Sequence, residues 1–79
     1  MTRHDLAERK DMKWITKLRL EQGLSQAKLA QRAETHPSCI SRIESGKEET
    51  RGARGYRLAK ALGWTGKPEA LSEEVEHDG

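Results

Sequence analysis

The 79-residue chain has no phenylalanine, only two tryptophans and one tyrosine, and a single cysteine, Cys39. One thiol excludes an intrachain disulfide, and nothing in the cysteine usage points to an oxidising compartment. Apolar runs are short everywhere, and the N-terminal MTRHDLAERKDMKW contains neither a signal peptide nor a membrane span, so a cytoplasmic protein is expected. Hydrophobic residues make up 33% of the chain and charged residues 35%. The core of this single domain must therefore be small. Burial at about 25 cal/mol per Å² is set against about 1.5 kcal/mol of ordering entropy per residue, a marginal balance that favours compact helices with short connections. A deep substrate pocket has little room to form.

Strand signals are lacking too. Valine is scarce and no window alternates with period two, whereas apolar residues recur three and four apart. The expected fold class is all-α, a compact bundle of four to five short helices. Ile15, Leu18 and Gln22 share a face of a first helix that ends at Gly23, with Asp5 or Asp11 as possible starts. Ser25 is suited to cap a second helix, QAKLAQRA, by accepting from a free amide of its first turn. Pro37 cannot continue that helix but fits the first position of a new one, so Thr35-His36-Pro37 reads as a tight turn and a restart. The third helix is expected over 37–45, with Gly46 as its stop. A fourth, GARGYRLAKALGW, places Leu58, Ala59 and Leu62 on one face and stops at Gly63. Gly52 and Gly55 weaken its start by about 1 kcal/mol each relative to alanine. Pro68 opens a short fifth helix, PEALSEEVE, and the last residues fray.

What is present is charge, unevenly placed. Residues 1–60 hold fourteen Lys/Arg against eight Asp/Glu, +6, while residues 61–79 hold one Lys against five acids, −4. A basic body with an acidic tail points to a polyanionic partner for the body, although a solvated charged surface has the same composition. Projected at about 100° per residue, Ser38, Ser41, Arg42 and Ser45 form one stripe of the third helix, with Ile40, Ile43 and Glu44 opposite. Short hydroxyls allow close approach to a partner, and the planar fork of Arg42 matches the two major-groove acceptors of guanine. Ser-rich faces are also common on solvated helices.

The order of short helix, turn and second helix within QAKLAQRAETHPSCISRIESGK resembles the helix-turn-helix of the phage repressor and Cro family, the lambda repressor-like fold. The resemblance runs from about Ile15 to Trp64. It rests on Ser25-Gln26, Leu29-Ala30, Ile40-Ser41-Arg42-Ile43-Glu44, Gly46-Lys47 and Leu58-Ala59-Lys60-Ala61-Leu62-Gly63. It implies a helix-turn-helix domain over 12–64, preceded by residues 1–11 as an extension or the start of the first helix, and followed by the acidic segment 65–79. It further implies that Leu29, Ala33, Ile40 and Ile43 are core, that Ala30 allows two helices to cross closely, and that Arg19 and Glu44 form a partly buried structural salt bridge. By the same resemblance Pro37, Ser38, Ser41 and Arg42 would read bases. Gln26, Lys28, Ser45, Lys47, Arg51 and Arg54 would contact phosphates and the DNA backbone. Two residues depart from the family pattern. Glu34 occupies the turn position where glycine is usual, at a cost of about 1–2 kcal/mol in the left-handed region. Gly55 replaces a usual leucine, so the fourth helix is expected to start late, with Tyr56 or Trp64 filling the space.

Other chemistry is poorly supported. His36 and Cys39 are spaced as metal ligands, but a structural zinc needs four, and His4 and His77 lie near opposite ends. No base, orienting group or pocket accompanies Cys39 or Ser38 as a nucleophile, so no enzyme, cofactor or metal is expected. His36 is read as a helix-start residue, Cys39 as a half-buried contact, and Trp14 and Trp64 as core or dimer packing. The expected function is a sequence-specific double-stranded DNA-binding transcriptional regulator, a repressor of the phage Cro or immunity type. It would act as a homodimer on a pseudo-palindromic site, with a monomer as the other possibility. The alternative is an antitoxin or adaptor whose acidic residues 69–78 bind a protein partner.

Overall fold

The computed structural model describes residues 12–75. Four α-helices follow in order, α1 (Trp14–Glu21), α2 (Gln26–Arg32), α3 (Pro37–Glu44) and α4 (Gly52–Leu62), and a 3₁₀ helix covers Pro68–Ser72. Among the described residues the one extended pairing is an isolated antiparallel bridge between Lys13 and Glu74.

That bridge explains where α1 begins. Asp5 and Asp11 lie outside the described residues, and the N-cap residue Lys13 makes no side-chain capping hydrogen bond. Instead the Trp14 amide donates to the Glu73 carbonyl at 3.0 Å, and the Val75 amide donates to the Met12 carbonyl at 2.9 Å. The same pairing corrects the expected fifth helix. Over residues 73–75 the chain is extended, because its backbone groups pair with residues 12–14 rather than with a following turn. The described part of the acidic segment is thereby bound to the domain: Leu71 is fully buried in the core and Val75 is 9% exposed.

Each of the four helices ends the same way. One residue takes a left-handed conformation, at Gly23 (φ 70°), Glu34 (57°), Gly46 (85°) and Gly63 (74°). The following amide then returns to the last turn, Leu24 to Arg19, Thr35 to Ala30, Lys47 to Arg42 and Trp64 to Ala59, at 2.8–3.0 Å. This satisfies carbonyls that a helix end would otherwise leave unpaired and turns the chain sharply.

The turns fold the apolar faces onto one another. Ile15, Leu29, Ile40, Ile43, Leu58 and Leu71 are fully buried, each contributing about 1.5–3 kcal/mol. Leu18, Trp14 and Trp64 pack against this cluster, the two indoles with ring centroids 5.4 Å apart and planes at 42°. Gln22 follows α1 rather than belonging to it, and its amide nitrogen donates to the Leu62 carbonyl at 2.9 Å, joining the ends of α1 and α4.

Helix α4 starts at Gly52, not late as expected. No space is left at Gly55 to be filled. A Cβ there would stand 2.9 Å from the Thr50 carbonyl carbon and 3.4 Å from Pro68 Cβ. Thr50 itself is fully buried, and its hydroxyl donates to the Pro68 carbonyl at 2.6 Å. Glycine lets α4 press against the segment that ties residues 50 and 68 together. Tyr56 is 61% exposed, and Trp64 stands against Trp14 instead.

Candidate nucleic-acid interface

Helix α2 begins where Ser25 Oγ accepts from the Lys28 amide at 3.0 Å. It packs against α3, and Ala30 and Ala33 are both 1% exposed. Glu34 makes the turn between them in the left-handed region, the strained conformation that its position implies. His36 then caps α3, its Nδ1 accepting from the Ser38 amide at 3.3 Å, and Pro37 opens the first turn.

The two sides of α3 differ sharply. Cys39, Ile40 and Ile43 are buried, while Pro37, Ser38, Ser41, Arg42 and Ser45 are exposed. Cys39, expected to be half-buried, is only 4% exposed because it falls on the inner face beside Ile40 and Ile43. One side anchors the helix and the other is open to a partner.

Glu44 fixes the orientation of that anchor. Its carboxylate accepts from Arg19 Nε at 2.7 Å and Nη2 at 3.2 Å, while Arg19 Nη1 donates to the Leu24 carbonyl at 2.8 Å. Both side chains are only 11–12% exposed, so α1 and α3 are joined by a partly buried bidentate pair. Gln26 completes the network, donating through Nε2 to Glu44 Oε1 at 2.9 Å. That contact takes one of the two amide hydrogens of a residue the family resemblance assigns to phosphate; the second remains for another acceptor.

Several residues of the outer face have internal partners that the sequence did not reveal. Ser38 Oγ lies 2.9 Å from His36 Nδ1, and the Ser45 hydroxyl donates to the Arg42 carbonyl at 3.1 Å. Arg42 Nε stands 3.5 Å from Glu48 Oε1, and Arg54 Nη1 stands 3.4 Å from the same oxygen. Arg51 pairs with Glu49 at 2.8 Å with both side chains largely in solvent. Lys28 and Lys47 are exposed. Gly46, Lys47, Glu48, Glu49, Arg51 and Arg54 line a shallow concavity of about 430 Å³ beside the end of α3. The structure therefore gathers Lys47, Arg51 and Arg54 around one concavity with two carboxylates among them, one of which, Glu48, also meets Arg42.

A family model described as helix-turn-helix matches residues 15–66. The chain belongs to the Cro- and repressor-like helix-turn-helix family. No curated protein and no solved structure matches it. Membership makes the chain a DNA-binding transcription regulator, and the family is generally non-enzymatic. Among the described residues no helix is long and apolar enough to cross a membrane.

Within this helix-turn-helix domain, Glu48 and Arg57 are the residues that the sequence pattern did not single out. Arg57 Nε donates to the Ala33 carbonyl at 2.9 Å, closing the end of α2 from α4. Glu48 had a legible signal. A glycine stop after α3 returns the next amides to the helix, and both the Lys47 and Glu48 amides donate to the Arg42 carbonyl, at 2.8 and 3.2 Å. Whatever stands at 48 is thereby brought back beside Arg42.

Proposed function

We propose that the protein is a sequence-specific double-stranded DNA-binding repressor of the phage Cro or immunity type. Helix α3, with Ser45 at its end, reads the major groove. Pro37, Ser38, Ser41 and Arg42 face the bases. Gln26, Lys28, Ser45, Lys47, Arg51 and Arg54 face the phosphates, positioning the domain without carrying sequence information. The observation that supports this reading most is the division of α3. Its buried face is locked by Ile40, Ile43 and the Arg19–Glu44 pair, and its hydroxyl-and-arginine face is open. An exposed helix on a rigid mount suits a groove that is about 12 Å wide.

Two copies on a pseudo-palindrome would place their α3 helices about 34–36 Å apart, one turn of the duplex. The alternative role, an antitoxin or adaptor using residues 69–78, has less support. Leu71 and Val75 are buried in the domain itself, which leaves Glu69, Glu73 and Glu74 exposed among the described residues of that segment.

Selection from a random duplex pool at two salt concentrations tests the proposal. Enrichment of a symmetric site supports both base reading and a dimer, and an asymmetric site supports a monomer. A pool without enrichment at either salt would contradict sequence-specific binding.

A further inference from the structure

Glu48 is a carboxylate placed among the cations of the DNA-facing surface. Its Oε1 lies 3.5 Å from Arg42 Nε, 3.4 Å from Arg54 Nη1 and 3.9 Å from Cys39 Sγ. Its position follows from the backbone, since its own amide donates to the Arg42 carbonyl at 3.2 Å. The side chain is 33% exposed, against 68% for Glu49, which pairs with Arg51 at the solvent edge. One residue of the loop is thus held between a base-facing arginine and a phosphate-facing one, and its neighbour is not.

We propose that Glu48 is a specificity-determining residue, a built-in competitor that discriminates against DNA phosphate more strongly than against a base edge. This inference rests on the base-reading role of Arg42 proposed above. A phosphate approaching Arg42 and Arg54 carries charge of the same sign as the carboxylate already between them and is repelled by it. A guanine edge is uncharged overall and takes the terminal fork of an arginine through O6 and N7. Glu48 approaches Arg42 at Nε, the opposite end of the guanidinium from that fork. Nη2 is 4.0 Å from Cys39 Sγ, a weak acceptor that a base edge can replace. Arg42 can therefore read a guanine while its Nε edge stays beside Glu48, whereas a phosphate at the same fork is an anion held close to a carboxylate of like charge. The carboxylate lowers non-specific affinity more than specific affinity and so raises their ratio.

The test uses the full chain and its Glu48→Gln and Glu49→Gln variants, titrated onto the duplex enriched by selection and onto a random-sequence duplex at fixed salt. Glu48→Gln is expected to raise affinity for the random duplex roughly threefold to tenfold, within the roughly twofold to thirtyfold that losing two exposed ion pairs allows, and affinity for the selected duplex by about twofold or less. Glu49→Gln removes the same charge from the same loop and is expected to raise both affinities by one common factor. A ratio that Glu48→Gln changes no more than Glu49→Gln, or a loss of affinity for the selected duplex, overturns the inference. The parent protein and Arg42→Ala in the same titration separate the two readings. A parent without preference overturns base reading and this inference together. A preference that depends on Arg42 but survives Glu48→Gln intact overturns this inference alone.

Discussion

Arg19 on α1 and Glu44 at the end of α3 are joined by two hydrogen bonds, 2.7 and 3.2 Å long, with both side chains almost withdrawn from solvent. The pair lies one residue from the exposed Ser45 and ties the inner side of α3 to α1. Removing either partner leaves a charge largely desolvated without its counterion. Arg19→Ala or Glu44→Ala should therefore destabilise the domain by about 2–4 kcal/mol, somewhat below the range for a fully buried pair. Urea unfolding of both single variants and the double variant measures this. A coupling of at least about 1 kcal/mol is expected, and a coupling near zero would count against the structural role.

Glu34 carries a left-handed conformation, φ 57°, that at the other three helix ends belongs to glycine. Its side chain is exposed, so little packing is lost with it. Glu34→Gly should stabilise the protein by about 1 kcal/mol, the steric relief less the entropy that glycine adds to the unfolded chain. For a domain of this size that corresponds to a rise of about 4–8 °C in melting temperature. A lower melting temperature would show that the turn has other support.

Gly55 separates two expectations of opposite sign. Helix propensity alone favours alanine over glycine in a helix interior by about 1 kcal/mol. A Cβ at 2.9 Å from the Thr50 carbonyl carbon, however, meets backbone that is itself tied to Pro68. Gly55→Ala should therefore destabilise by about 1–3 kcal/mol, as overpacking does. Chemical denaturation decides between them, and a stabilised variant would mean that α4 can move away from Thr50.

What was legible in the sequence follows a physical division. Caps, stops and apolar spacing act locally, so Ser25, Pro37, Gly46 and Gly63 mark helix ends and the Ile40/Ile43 face marks the buried side. Pairings across the fold are set by packing between distant segments. Nothing local at Glu73 shows that its carbonyl will receive the Trp14 amide, and the fifth element accordingly ended early. Gly55 misled for the same reason, since its close neighbour is the backbone at Thr50 and not a side chain in its own helix. Residue type singled out Arg42 and the family resemblance singled out Arg54, but that both meet Glu48 depends on how the loop after Gly46 returns.

The most direct measurement is the binding of Arg42→Ala and Lys47→Ala to the selected duplex and to single-base variants of it, across a range of salt. Arg42→Ala should lose about 1–3 kcal/mol on the selected site and relax preference at one base pair, as the loss of a base-reading arginine does. Lys47→Ala should weaken binding to every sequence alike and reduce the salt slope by about one unit, as the loss of a phosphate contact does. If Arg42→Ala left both affinity and base preference unchanged, α3 would not be the element that reads DNA.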